Sequence, residues 1–292
     1  MPAALAREEV PGLEEKCTIV VAVCENLNYT RLFLESLFRG TNYPFELVIV
    51  DNGSTDGTPE YLASLGGCKV IRNEENLGVA KAWNQGIAAA TGHHICLCNN
   101  DIVVPRGWLR PLVQELDNHD ELGLVSATEE ITVLHFSDVF REEAEFLSRV
   151  GYDLELDFEA LDAAYGGFDR FAAEFMEKYR DTRLPEVGNA SCMLIRRELI
   201  EDIGVFDETI GIAYYEDCDY LLRTFTNARF NMFEAYGGSY FHHFHGKSAA
   251  LVPPDTMSRS REAFYRKWPH AQPIMERWGF RGGDAAGDAA NR

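Results

Sequence analysis

Across residues 17–98, unbroken apolar runs alternate with stretches of helical spacing, and that alternation leaves few folds open. Residues 17–24 (CTIVVAVC) read as a strand buried on both faces, because such strands are continuously hydrophobic rather than alternating. From Asn28 to Arg39, Leu32, Phe33, Leu37 and Phe38 share one helical face, and Gly40 is placed to close the helix. Further strands are expected at Phe45 to Val50, Cys68 to Arg72 and His94 to Cys98. Between them, Thr58-Pro59 opens one helix that Gly66-Gly67 ends, and Gly78 to Ala90 forms another, closed by Gly92. Strand–helix alternation builds an α/β fold, a doubly wound and mostly parallel sheet. Right-handed crossovers gather the loops after successive strands on one edge, where ligands bind in such sheets.

That edge collects Glu25-Asn26, Asp51-Asn52-Gly53-Ser54, Asn73 to Gly78 and Asn99-Asn100-Asp101. The run Leu97 to Val104 (LCNNDIVV) is an apolar strand ending in polar side chains. Asn and Asp favour turns, and an Asp at a strand end also suits a hard divalent cation shared with a phosphorylated ligand. Asp51 can hydrogen-bond a ribose or base N–H, or cap the loop before the next helix. Neither GxGxxG nor GxxxxGK[ST] occurs here, so dinucleotide and P-loop fingerprints are not supported. Asn76 and Gly78 lead into a helix start whose amides can support a diphosphate.

The formal net charge of −20 argues against a nucleic-acid partner and against docking on anionic lipid. No apolar run reaches membrane-spanning length, and residues 1–16 read as a charged leader without a signal-peptide core. The seven Cys (Cys17, Cys24, Cys68, Cys96, Cys98, Cys192 and Cys218) form no CxxC; they read as small buried hydrophobes in a reducing compartment, which implies a cytoplasmic protein.

After Val125 the pattern changes. Residues 129–181 hold fifteen Asp/Glu against five Lys/Arg, and Phe168, Phe171, Phe175 and Tyr179 repeat at helical spacing. This segment reads as an acidic helical insertion or lid with an apolar core stripe. Strand and helix signals resume at Ser191 to Ile195 and Arg197 to Ile203, then Glu216 to Thr226, with a late strand over Gly238 to Phe244. Residues 281–292 (RGGDAAGDAANR) read as a disordered tail.

Glu216, Asp217 and Asp219 crowd a helix start, which suits either capping of the helix dipole or a general base with a raised pKa. His242, His243 and His245 lie within four positions, and one imidazole can complete a divalent site with Asp101. Alternate strand residues face opposite ways, so all three cannot serve one ion. HExxH is absent, which weighs against a zinc hydrolase.

Taken together, VIVDNGSTDGT (48–58), NEENLGVAKAWNQGI (73–87), LCNNDIVV (97–104), CMLIRRELIEDIGVFDE (192–208), YYEDCDYLLR (214–223) and HHFHGKS (242–248) resemble a family 2 glycosyltransferase of the GT-A fold. Within that family the chain is most similar to rhamnosyltransferase-like bacterial members of polysaccharide biosynthesis. The resemblance implies an inverting transfer of a sugar from a nucleotide-diphosphate donor (a UDP, GDP or dTDP sugar) to a hydroxyl on a glycan, lipid-linked or protein acceptor. It implies that Val23, Glu25 and Asp51 lie beside the nucleoside, with Asn76, Gly78, Asn99 and Asn100 also on the donor. Asn99-Asn100-Asp101 stands where the family carries its DxD motif, two Asn replacing acids. Asp101 is thereby expected to hold Mn2+ or Mg2+ together with His242, His243 or His245. Asp217 aligns with the general base, Glu216 or Asp219 orients a hydroxyl, and Tyr214, Tyr215 and Trp108 offer rings to the acceptor.

The resemblance also implies one catalytic domain over 17–280: a nucleotide-sugar half (17–125), the insertion (129–186) facing the acceptor, and a catalytic half (187–280). Such a protein can work at the inner face of a membrane through a partner. Two other readings compete. A sugar-1-phosphate nucleotidyltransferase needs a basic, Gly-rich loop after the first strand, where Glu25-Asn26-Leu27-Asn28 is neither. A catalytically silent nucleotide-sugar binder fits Asn99 and Asn100 but not the intact Glu216-Asp217 pair.

Overall fold

The structure, a computed structural model, describes residues 17–150, 157–247 and 251–278. The leader and the tail expected from sequence lie outside these residues. The first half runs β1 (Cys17–Val23), α1 (Leu27–Gly40), β2 (Phe45–Asn52), α2 (Thr58–Ala63), β3 (Lys69–Asn73), α3 (Val79–Ala89), β4 (His94–Asn99), β5 (Ile102–Val103), α4 (Leu109–Asn118) and β6 (Leu122–Thr128). Then come α5 (Glu130–His135), α6 (Arg141–Val150), α7 (Phe158–Tyr165), α8 (Phe168–Lys178), β7 (Arg183–Pro185), β8 (Cys192–Arg196) and α9 (Arg197–Ile203). The chain continues with α10 (Glu216–Phe225), β9 (Met232–Tyr240), β10 (His242–His243), α11 (Thr256–Lys267) and α12 (Gln272–Arg277).

The main sheet has the order β3-β2-β1-β4-β8-β6-β9-β7. Its first four strands are parallel, as the alternation requires. Successive residues of β1 and β4 feed opposite cores. Ile19, Val21, Cys96 and Cys98 pack under α1 and α4, while Val20, Ile95 and Leu97 pack under α3, α9 and α10. Burial on both faces is what makes these strands read as unbroken apolar runs. The fold is thus α/β with a mostly parallel sheet, except that β8 runs antiparallel to both β4 and β6 and β7 runs antiparallel to β9. Four of the cysteines (Cys17, Cys96, Cys98 and Cys192) are buried in the first of these cores and Cys218 is buried against Leu222 and Phe264, with Cys24 and Cys68 partly exposed.

Two boundaries differ from expectation. Gly40 is the last residue of α1 rather than a left-handed cap, and a Cβ there would sit 2.7 Å from the Pro105 carbonyl oxygen. Close approach to the turn before α4, not termination, demands glycine. The late strand begins at Met232, not Gly238, and breaks before a separate β10. Gly237 lies mid-strand because Tyr179 packs against it, leaving 2.7 Å between a Cβ and the Tyr179 oxygen.

The acidic segment does form helices, α5 to α8. Phe168, Phe175 and Tyr179 supply its apolar stripe and pack with Phe140, Leu147, Val103, Ala235, Tyr240 and Phe244. Its core is therefore continuous with β5, β9 and the segment after β10. Among the described residues no helix is long and apolar enough to cross a membrane.

Candidate active site

At the carboxyl end of β2, Asp51 is buried, and its Oδ1 accepts the Ser54 N–H at 3.0 Å. Its Oδ2 has no hydrogen-bond partner among the described residues, with Arg72 Nε 3.9 Å away. A buried unpaired acceptor ordinarily costs about 1–3 kcal/mol, so this oxygen is suited to a ligand donor. Val23 pairs with Asp51 across the strands, but its side chain is core and only its backbone faces this edge. Glu25 adopts φ 52 and its carboxylate accepts both the N–H and Oγ1–H of Thr55, which fixes the loop beside Asp51.

The 73–78 loop is held from within. Asn52 donates to Asn76 Oδ1 at 2.9 Å and accepts from Leu77 N–H and Asn73. Asn76 Oδ1 also accepts the Gly78 N–H. The amide expected at the α3 start is taken, since Val79 N–H donates to the Ile212 carbonyl at 2.8 Å. Gly78 sits at φ 92 with a would-be Cβ 3.0 Å from Ile212, so this contact needs glycine. The same contact brings the segment leading to Glu216 onto the edge that carries Asp51.

Asn99 turns toward Ser191, whose carbonyl accepts its N–H, and Asn100 donates its side chain to Thr30 Oγ1 at 3.0 Å. The Asn100 amide is thus tied to α1, and the Asn99 side-chain amide reaches Ser191 Oγ at 3.5 Å. Asp101 points elsewhere: its Oδ1 lies 3.2 Å from His243 Nε2. His243 Nδ1 lies 2.9 Å from Glu129 Oε2, and His245 Nε2 lies 3.9 Å from the same oxygen. The ligand atoms of Glu129, His243 and His245 all fall within 4.8 Å of one another. Burial alone would lower the His243 pKa, but the Asp101 charge and hydrogen bond, with Glu129 behind, push it up to about 10. Burial would raise Asp101, and the His243 charge outweighs it, holding that carboxyl below its usual range. Glu129, His243 and His245 converge closely enough to fit Mn2+ or a similar divalent ion, while Asp101 stands against the opposite ring nitrogen of His243. His242 faces away: its Nδ1 contacts Glu130 and Tyr165, as strand alternation demands, so it is not part of this donor set. Glu129 was missed by sequence reasoning because it is one acid among many. It stands directly after β6, the same strand-then-acid pattern that marks Asp101.

Glu216 and Asp217 open α10. Glu216 is buried, its Oε2 has no partner among the described residues, and burial plus the Asp217 charge push it up to about 8. Burial raises Asp217 as well, against the hydrogen bond it accepts from the Cys218 N–H. Tyr214 and Tyr215 precede them at φ 70 and 69, a left-handed pair that non-glycine residues rarely adopt. Tyr215 packs on Phe264, leaving Tyr214 the freer ring.

Two expected acceptor residues lie elsewhere. Asp219 is fully buried; Arg223 and Lys267 pair with its oxygens at 2.9 and 2.7 Å and Trp268 Nε1–H donates to it. It ties α10 to α11 and has no oxygen left for a sugar. Trp108 is fully buried, its Nε1–H donating to Thr41 Oγ1, so its ring offers no face to an acceptor.

The model of glycosyl transferase family 2 matches residues 18–204, more than half of the chain. The chain belongs to glycosyltransferase family 2. As a family 2 glycosyltransferase it is 25% identical over 209 residues to YwdF of Bacillus subtilis, covering 71% of the chain and 67% of that protein. It is 27% identical over 112 residues to GlyG of Streptococcus pneumoniae (37% of each). It is 24% identical over 263 residues to the y4gI protein of Sinorhizobium fredii, covering 86% of the chain. The chain spans 27% of the length of y4gI and 37% of that of GlyG.

Two solved structures share the GT-A fold. The mannosyltransferase PcManGT of Pyrobaculum calidifontis, in complex with GDP-Man and Mn2+, superposes with a TM-score of 0.55 at 17% identity, over 96% of this chain and 79% of that one. S. aureus TarS 1-349 gives 0.51 at 16% identity, over 91% and 74%. Within this family 2 enzyme, Asp51, Asp101 and Glu129 lie inside the matched stretch, whereas Asp217 and His243 lie beyond it.

Proposed function

We propose that this enzyme transfers a glycosyl group from a nucleoside diphosphate sugar to an acceptor hydroxyl, with inversion and with the help of a divalent cation. The observation that carries this reading is the meeting of Glu129, His243 and His245 at the ligand-binding edge of the sheet, with Asp101 against the other ring nitrogen of His243. Those three residues, with Asp101 as the expected fourth, would hold Mn2+ or Mg2+, which would supply charge neutralisation to the departing diphosphate. PcManGT, in complex with GDP-Man and Mn2+, supports both the donor class and the ion.

The roles of the other residues follow from their surroundings. Asp51 Oδ2, buried and unpaired among the described residues, accepts a hydrogen bond from the ribose or base of the donor. Burial raises both acids, and the Asp217 charge raises Glu216 further, to about 8, so Glu216 holds its proton the more firmly and Asp217 is the base of the pair. Asp217 takes the proton of the acceptor hydroxyl while that oxygen bonds to the anomeric carbon. The carbon–oxygen bond to the diphosphate breaks on the opposite face, and the diphosphate leaves with the electron pair. A single displacement of this kind inverts the anomeric centre. Tyr214 borders the acceptor, and the helices α5 to α8 form the wall along which a glycan, lipid-linked or protein acceptor lies.

Calorimetric titration with UDP, GDP and dTDP, with and without Mn2+, tests the reading. Metal-dependent binding of one nucleotide supports it and names the donor class. A folded sample that binds none of them overturns it. Binding without any transfer across an acceptor panel would favour a silent nucleotide-sugar binder.

A further inference from the structure

Behind the candidate cation site lies a second buried polar cluster that neither the donor nor the acceptor reading uses. Glu130 is 2% exposed and receives four donors. Its Oε1 accepts Tyr165 O–H at 2.8 Å and Tyr240 O–H at 3.1 Å, and contacts His242 Nδ1. Its Oε2 accepts the backbone N–H of His243 at 3.2 Å. The two tyrosine hydroxyls are 2.9 Å apart, and Tyr165 and Tyr240 are buried with Phe168, Phe171 and Phe175 around them.

Stability of the fold does not call for such a group. Burying a carboxylate carries a desolvation penalty, and apolar residues of similar volume often serve a core as well or better. Its placement is more telling. Glu130 follows Glu129, and His242 precedes His243, so each member of the hub is covalently next to a residue of the cation cluster. His242 and His243 point opposite ways along β10, and at the start of α5 Glu129 turns to the His243 ring while Glu130 turns back into the hub.

We propose that Glu130, fixed by Tyr165 and Tyr240, is a positioning residue that sets the His243 backbone and hence the distance of its imidazole from Asp101 and Glu129. The inference rests on reading those residues, with His245, as a divalent-cation site. Because Tyr165 belongs to α7, the acidic segment takes part in shaping the cation site from behind. Groups that orient ligands from outside the coordination sphere typically govern metal affinity by ~10–100-fold.

The test uses the full chain and Mn2+ alone, with free Mn2+ followed by electron paramagnetic resonance. Glu130→Gln is expected to weaken Mn2+ binding by ~10-fold or more, and Tyr165→Phe by a smaller factor in the same direction. Metal-free nucleotide binding should be unchanged in both. In metal-free protein the His243 amide signal should move in both variants, which a purely packing role would not produce selectively. If Glu130→Gln fails to fold, Tyr165→Phe, which removes one hydroxyl, carries the test. Folded variants with wild-type Mn2+ affinity and an unmoved His243 amide overturn the positioning role while leaving the cation site intact. Wild-type protein that binds no Mn2+ overturns both.

Discussion

Asp101 and His243 meet at 3.2 Å because β5 and β10 pair antiparallel, with His243 opposite Ile102. The ribbon stands apart from the eight-stranded sheet, and a further bond from Phe244 N–H to the Asp101 carbonyl at 3.0 Å extends it. Asp101→Asn keeps the shape and removes the charge. Its expected effect on Mn2+ affinity exceeds the ~10–100-fold typical of groups behind the ligands, with transfer falling in parallel. Calorimetry with Mn2+ and nucleotide checks it, and an unchanged metal affinity would remove Asp101 from the site.

Asp217→Asn should lower transfer by ~10²–10⁴-fold, the usual contribution of a positioned general base, while donor binding stays as in wild type. Single-turnover transfer beside a nucleotide titration separates the two. Normal turnover in the variant would assign the base elsewhere.

Glu216 makes a prediction about stability and pH. Its folded pKa is about 8 against an ordinary 4.5, so the folded state keeps a proton that the unfolded state has lost over that window. Stability therefore falls as pH rises from about 4.5 to about 8 and levels off above. Glu216→Gln removes this dependence. The variant should match wild type near pH 4.5 and exceed it by roughly a few kcal/mol at pH 8.5, each pKa unit being worth about 1.4 kcal/mol. Urea unfolding at the two pH values checks this, and parallel curves would mean the pair is not perturbed.

Asp219→Asn should act on stability alone. Breaking a buried ion pair by removing one partner costs about 3–5 kcal/mol, and here both Arg223 and Lys267 lose their counter-charge, while the remaining amide oxygen can still accept from Trp268. The melting temperature should drop sharply, while the acceptor KM of the protein that remains folded stays put. A KM that rises without loss of stability would return Asp219 to the acceptor site.

How much of this was readable beforehand depends on what each residue's environment leaves in the sequence. The strands β1, β2 and β4 were legible because burial on both faces forces unbroken apolar runs. The direction of β8 was not, since Cys192 to Arg196 has the same composition whichever way it runs. Gly238 reads as the start of the late strand, but Gly237 before it lies inside β9 and admits Tyr179, a contact that only packing reveals. In the site, Asp51, Asp101, Asp217 and His243 stand out at strand or helix ends. Glu129 stands at one too, masked by the acids that follow it. Asp219 could have been set apart from Asp217: two helical positions turn a side chain about 200° around the axis, away from whatever the first one faces.

The pairing of β5 with β10 also has a topological meaning. It closes the chain from Asp101 to His243 into one ring holding about half of the residues. The entropy of closing a flexible ring grows only with the logarithm of its length, so even doubling it adds about 0.6 kcal/mol. The contour between the clasped ends can therefore be lengthened, trimmed or exchanged at little thermodynamic penalty. A new acceptor-facing wall can be grafted there while the two clasped residues keep their distance.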